Sequence, residues 1–278
     1  MRSRWRTVLD RPGRYRWLAL LESAAYTWIH RRPVWITRNG PYWTIRSWRG
    51  ATMVSAGYRW RGPDFWRDLT ADLLFFQYRP RAGDVVVDIG AGMGEELPAL
   101  CRSVSPGGRV IAVEAHPFTY EGLVRAISLN RLANCVPVAA AVSDHTGTAT
   151  ISDLDDPDLN TTLPGVLRTR AQVQVPAITL DDLAQRMSIE RIDLLTMNIE
   201  GAERLAIRGM DRVLDQTRNV VISCHDFLAA ESGDESLETK DLIVDTLRSA
   251  GFSVLTRDDE REFVADYVYG TRDAKAGT

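Results

Sequence analysis

The chain has 278 residues, 45% of them hydrophobic and 26% charged, which is enough apolar mass for one large domain or a domain with an appendage. No run of about 18 uninterrupted apolar residues occurs, so a membrane-spanning helix is excluded, and the N-terminus lacks the apolar core and small-residue cleavage site of a secretory signal. The net charge of −3 hides a division, because residues 1–81 hold 16 arginines against five acids and contain all eight tryptophans. Cys101, Cys135 and Cys224 are odd in number and lack metal-ligand spacing, so they read as reduced thiols of a cytoplasmic protein.

In chain order, "RYRWLALLESAAYTWIH" has helical periodicity, and "PVWITRNGPYWTIRSWRG" reads as strand, Asn-Gly turn and strand. From residue 84 the pattern changes to a regular alternation. "DVVVDIG" is a buried strand, "EELPALCRSV" a helix, "RVIAVEA" a second strand, "PFTYEGLVRAISLNRL" a proline-opened helix and "CVPVAAAV" a third strand. Thr179 of "TLDDLAQRM" is placed to cap a helix. "RIDLLTMNI", "GAERLAIRGM" and "RNVVISCHDF" follow as strand, helix and strand, then a long helix in "ESLETKDLIVDTLRSAG". "FSVLT" and "EFVADYVYG" close the chain as an antiparallel hairpin. This alternation predicts an α/β fold, a mostly parallel sheet covered on both faces, with its ligand at the carboxyl ends of the strands. The expected organisation is an accessory segment over 1–83, a main domain over 84–270 and a disordered tail over 271–278.

The stretch "VVVDIGAGMGEE" carries the first functional signal. Its spacing is Asp88-x-Gly90-x-Gly92-x-Gly94; the dinucleotide fingerprint would need glycine where Glu95 stands, and no phosphate-binding lysine follows. An acid-rich turn suits a cationic sulfonium or ammonium better than a pyrophosphate. This spacing resembles the first motif of class I S-adenosylmethionine (SAM)-dependent methyltransferases. That resemblance implies a Rossmann-like, seven-stranded fold in which the stretch cradles the methionine part of SAM. It also places Glu114, at the end of "VIAVEA", against the ribose hydroxyls, and Ser143 and Asp144 of "AAVSDHTG" near the adenine edge.

The motif "IDLLTMNIEGAE" narrows the resemblance to the FkbM family, whose pattern here is D-x-[LI]-K-[IM]-D-[IV]-E-G-x-E. "VVDIGAGMG", "VEAHP", "AAVSDHTGTATI" and "VPAITLDDL" fall in the family's order, and the likeness runs from about Arg59 to Tyr269. It implies methyl transfer from SAM to a hydroxyl on a sugar, glycolipid or secondary metabolite. Transfer to an amine nitrogen, or a catalytically silent SAM-fold binding or scaffold protein, are the alternatives. Two positions depart from the pattern: Asn198 replaces the family's aspartate and Thr196 its lysine.

An alcohol acceptor needs alignment with the sulfonium methyl and a group to take its proton. His225, at the end of "NVVIS", is the expected base because a neutral imidazole titrates near neutrality. Asn198 and Glu200 stand at the neighbouring strand end, while Glu203 reads as an acid complementing a helix dipole. Asn198, Glu200, His225 and Asp226 could together hold a divalent ion, but the donor set is mixed and no metal is assigned. Asn160 and Thr161, in the polar segment "DLDDPDLNTTLPGVLRTR", are candidate acceptor-binding groups. The expected partner is therefore a small-molecule or glycan acceptor, not nucleic acid. The basic, tryptophan-rich segment has three readings: peripheral contact with anionic lipid, a glycolipid acceptor or nucleic acid; tryptophans forming a small core while arginines pair with the acidic main domain; or dimerisation through this segment. The second is the expectation here, and the sequence sets no oligomeric state.

Overall fold

The computed structural model describes residues 14–56, 61–153, 171–226, 229 and 238–272. It opens with helix α1 (Arg14–His30), followed by strands β1 (Val34–Asn39), β2 (Tyr42–Ser47) and β3 (Thr52–Ser55) in an antiparallel sheet. Gly40, at φ +62°, and Pro41 close the expected hairpin between Asn39 and Tyr42. α1 covers the free edge of β1, since Ser23 Oγ accepts from Ile36 N at 2.9 Å and Thr27 Oγ1 from Val34 N at 3.3 Å. Helix α2 (Pro63–Leu73), which periodicity did not single out, leads into the main sheet.

The remaining elements are β4 (Val85–Ile89), α3 (Leu97–Val104), β5 (Arg109–Glu114), α4 (Pro117–Asn130), β6 (Cys135–Ala139), β7 (Ala141–Val142), β8 (Gly147–Ser152) and β9 (Gln172–Ile178). Then come α5 (Leu180–Arg186), β10 (Leu194–Met197), α6 (Glu203–Ala206), α7 (Asp211–Gln216), β11 (Asn219–Ser223), α8 (Lys240–Ser249), β12 (Ser253–Thr256), α9 (Glu262–Ala265) and β13 (Tyr267–Thr271). Seven strands form the main sheet in the order β12-β13-β11-β10-β4-β5-β6, with β13 antiparallel to both neighbours and the rest parallel. This is the Rossmann-like sheet with its C-terminal antiparallel hairpin. Strand order reverses between β4 and β10, so the crevice at the switch point opens beside their carboxyl ends. The near-continuous apolar runs of β4 and β11 follow from burial on both faces.

Several local expectations change. "CVPVAAAV" divides at Ala140: β6 stays in the main sheet, while β7 joins β8 and β9 in a third, three-stranded sheet. "EFVADYVYG" begins with the single turn α9, so its strand starts at Tyr267. Thr179 does cap α5, its side chain accepting from Asp182 N at 3.1 Å. Asn160 and Thr161, residues 235–237 of the expected long helix, and residues 273–278 of the tail lie outside the described residues. Glu238 and Thr239 precede the helix, which starts at Lys240, and Thr271, expected in the tail, ends β13.

The small sheet is joined to α4 by chemistry that its strands alone could not supply. Asn130 bonds both backbone groups of Thr52, at 2.8 and 2.7 Å. Buried Tyr42 donates to Phe118 O at 2.8 Å and shares a cluster with Val54, Met93 and Ala126. Among the described residues the expected tryptophan core is not found. Tyr26, Val34, Ile36, Ile45 and Met53 form the core here, Trp43 and Trp66 flank it, and Trp28, Trp35 and Trp48 are exposed. The alternation of β1 explains part of this, because Val34 and Ile36 point inward and Trp35 must then point out. Three of the segment's described arginines turn to its own acids rather than to the acidic domain: Arg32, Arg49 and Arg67 pair with Asp68 and Asp64.

Buried Asp193 sets the register of three strands at their amino ends. It accepts from Val85 N at 2.9 Å, Arg191 Nε at 3.0 Å and Arg218 Nη1 at 3.2 Å, while its carbonyl accepts from the Asn219 amide at 2.8 Å. Asp193→Ala leaves the half-buried Val85 amide and the Arg191 and Arg218 guanidinium groups without their shared acceptor, so urea unfolding is expected to register a loss of about 2–3 kcal/mol.

Candidate active site

A cavity of about 190 Å³ lies at the carboxyl ends of β4, β5 and β10. The turn after β4 supplies Gly90, Ala91, Gly92, Glu95 and Glu96; β5 supplies Val113 and Glu114; the turn after β10 supplies Asn198, Ile199 and Glu200. Val142, Ile151, Thr119 and Trp66 complete the walls. Among the described residues no lysine, arginine or histidine side chain lines it, against four glutamates. Such a cleft favours a cationic ligand and disfavours a pyrophosphate. Burial first, then Glu95 and Asp88, push the Glu96 carboxyl well above its ordinary range.

The three glycines of the opening motif all have positive φ, but they meet different neighbours. A Cβ on Gly90 would overlap the carbonyl oxygen of Asn198, so this glycine allows β4 and β10 to close together. Gly94 faces Leu97 and Leu123 and packs α3 against α4. Of the three, Gly92 lines the cavity with the most open Cβ direction, the nearest atom being Glu95 Oε2 at 3.3 Å. The expectation that this stretch cradles a ligand therefore fits Gly92 best. Asp88 is buried beneath the turn, where its Oδ1 accepts from Thr196 Oγ1 at 2.6 Å and its Oδ2 has no partner.

Glu114 lines the cleft as expected, its two oxygens accepting from Gly92 N at 3.1 Å and His116 N at 2.8 Å. Desolvation outweighs these bonds and pushes its pKa up to about 7. Ser143 and Asp144 fall one and two residues beyond Val142 and are not among the lining residues. Ser143 is buried with its amide on Ile178 O, and Asp144 is held by His145 at 2.8 Å, which keeps its carboxyl below the ordinary range. Their expected place beside a ligand does not follow from this geometry.

At the next strand end the structure reverses two roles. Glu203 is fully buried, and its Oε1 accepts from Ile199 N at 3.1 Å, Gly201 N at 3.3 Å and His225 Nδ1 at 3.0 Å. It is the acceptor that organises the turn, which the reading as a dipole-complementing acid missed. Within that turn Glu200 takes φ +53°, a conformation that costs a non-glycine residue about 1–2 kcal/mol. His225 is buried between two carboxylates, with Nε2 3.5 Å from Glu200 Oε1. Burial alone would lower its pKa, but Glu203 and Glu200 together raise it to about 10. With both ring nitrogens facing carboxylates, His225 is held towards its charged form, an arrangement that does not favour the neutral base expected from the sequence. Asp226 spends its carboxylate on Thr239 N and Lys240 N at the start of α8. Among the described residues no group of three or more His, Cys, Asp or Glu side chains is arranged to hold a metal ion.

A stability test follows from the raised His225 pKa. The folded value of about 10 exceeds the ordinary value of about 6.5, so the stabilising contribution is complete below about pH 6.5 and is lost as pH rises through 10. Denaturant melts should therefore give a stability gap between wild type and His225→Gln that narrows from pH 7 towards pH 10.

Comparison with known proteins matches this site to a family. Residues 88–254 match the methyltransferase FkbM domain. The 31-O-demethyl-FK506 methyltransferase FkbM of Streptomyces tacrolimicus is 25% identical over 250 residues, covering 78% of this chain and 91% of that protein. Among solved structures, Aeropyrum pernix fibrillarin with natively bound S-adenosyl-L-methionine aligns at a TM-score of 0.48 and 13% identity, covering 85% of this chain and 97% of that one. The O-methyltransferase TomG of Streptomyces achromogenes, in complex with SAM, aligns at 0.46 and 10% identity, covering 77% and 81%. With the family match spanning the glycine turn, the Glu114 strand end and the Glu200–Glu203 turn, this chain belongs to the FkbM methyltransferase family and takes SAM as its methyl donor.

Proposed function

We propose that this chain methylates a hydroxyl oxygen of a small molecule, a sugar or secondary metabolite, and that Glu200 takes the proton. The observation that carries this reading is the Glu200 carboxylate, which lines the cleft on a strained turn with the His225 imidazolium behind it. The name of the Streptomyces tacrolimicus relative, which puts its methyl on an oxygen, supports the same choice. Bound SAM supplies an electrophilic methyl on a positively charged sulfur. The chain's residues do the rest by binding, alignment and proton handling.

In this reading Glu114 and the Gly92 backbone hold the ribose, and the acids Glu95 and Glu96 complement the sulfonium charge. Asn198, exposed in the cleft with a neutral amide where the family pattern has aspartate, orients the acceptor hydroxyl by hydrogen bonding. Glu200 accepts the hydroxyl proton, while the imidazolium keeps its carboxylate aimed and prevents it from swinging to solvent. Trp66, brought from α2, offers an apolar wall for the acceptor's body.

Incubation with methyl-labelled SAM and a panel of polyols, glycosides and macrolactone alcohols should give a product whose methyl is on oxygen by NMR. An N-methyl product, or none in a SAM-binding preparation, rules the reading out. Glu200→Gln is expected to lower kcat about 10²-fold or more with little change in SAM affinity.

Glu114 supplies a separate test of the cofactor pose. Its pKa of about 7 in the free protein means that acceptance of ribose hydrogen bonds requires loss of a proton near neutrality. SAM affinity measured by calorimetry should therefore weaken below pH 7, approaching about tenfold per pH unit, and Glu114→Ala should cost about 1.5–3 kcal/mol.

A further inference from the structure

Helix α1 has two faces with opposite fates. Ala19 and Tyr26 are buried against the small sheet, and Ser23 and Thr27 satisfy its edge. On the outer side, Leu20 is 61% exposed, Leu21 66% and Trp28 83%, with Ala24 and Ile29 beside them. With 3.6 residues per turn, Leu20, Ala24, Trp28 and Leu21 lie within an arc of about 100°. A stripe of this kind on one helix is more than scattered surface apolarity.

The surroundings indicate what meets it. Residues 14–56 contain seven arginines and a single acid, Glu22, which is half-buried on α1. Arg31 and Arg32 follow the helix directly, and the Arg32 pair with Asp68, at 3.6 Å between exposed side chains, is too weak to occupy that charge fully. Indole is the side chain best suited to the boundary between headgroups and acyl chains. No helix among the described residues is long and apolar enough to cross a membrane, so α1 would meet a lipid surface by lying along it rather than by spanning it. We propose that α1 docks on an anionic lipid surface, with Leu20, Leu21 and Trp28 inserted at headgroup depth and Arg31 and Arg32 against lipid phosphates.

This docking face is separate from the methyl-transfer site and stands without the identity of the acceptor. It is nevertheless mechanically joined to that site. Tyr26, on the inner side of α1, accepts from Gly62 N at 2.8 Å just before α2, the helix that carries Trp66 to the cleft.

The test uses the full chain and vesicles of phosphatidylcholine with or without phosphatidylglycerol. Flotation should be strong with phosphatidylglycerol at about 0.1 M salt, and should fall at least about tenfold at about 0.5 M salt or with pure phosphatidylcholine. The variant Leu20→Gln/Leu21→Gln/Trp28→Gln should lose vesicle binding by about tenfold or more while keeping wild-type SAM affinity and thermal midpoint. Should the triple variant melt early, Leu21→Gln alone replaces it, with a smaller loss of binding expected. Equal, weak flotation with both vesicle types overturns the proposal. So does a wild-type dimer by light scattering that the α1 variant turns into a monomer, because the face would then belong to a second copy.

Discussion

The buried carboxylate of Glu203 joins the ends of β10 and β11, and the candidate chemistry depends on where it holds them. One oxygen accepts from two turn amides and from His225, across a separation of 22 residues. Hydrogen bonds to a charged acceptor contribute about 1.5–3 kcal/mol each, enough to offset the cost of holding Glu200 at positive φ. Gly90 makes the same turn possible from the other side, since any side chain there would strike the Asn198 carbonyl. The switch point between β4 and β10 is thus a matched pair of turns, one without a side chain and one tied down by a charge.

The two departures from the family pattern sit in the middle of this arrangement and act differently. Thr196 gives Asp88 one short neutral hydrogen bond where a lysine would give a charge. The second carboxylate oxygen is left buried and unpartnered, and burial raises the Asp88 pKa to about 6. A raised folded value means that Asp88 favours the fold most at low pH and gives that stability up as pH rises through about 6. A positively charged ligand above the turn would reduce that cost. Asn198 changes the cleft itself, because it removes one negative charge from a wall already lined by Glu95, Glu96, Glu114 and Glu200.

Much of the main sheet was legible in the sequence because β4, β5 and β11 are buried on both faces and appear as unbroken apolar runs. Glu114 was legible for the same reason, as an acid ending such a run at the ligand side. Glu203 was not. An acid in the first turn of a helix looks alike whether it faces water or a buried histidine far along the chain, and only packing tells the two apart. The glycines were legible as positive-φ positions, but whether each faces a ligand, a neighbouring turn or a helix is set by tertiary contacts. For Trp35 the strand alternation held the answer, and aromatic bulk suggested a core that strands of four to six residues cannot enclose.

The uneven charge along the chain has a physical reading in the folded molecule. A guanidinium placed about 6 Å from a bound sulfonium would cost about 3 kcal/mol at an effective dielectric constant near 20, twice the energy of a tenfold loss in affinity. The accessory segment, with its many arginines, nevertheless reaches the cleft. The side chain it contributes among the lining residues is the neutral indole of Trp66. Nearby Arg67 is turned away and held by Asp64 and Asp68, both at 2.6 Å. Those acids are a minority in an arginine-rich stretch, and one of them, Asp64, is buried at the start of α2. Their placement holds Arg67 on its own segment, so that cation does not compete with the ligand of the acidic site.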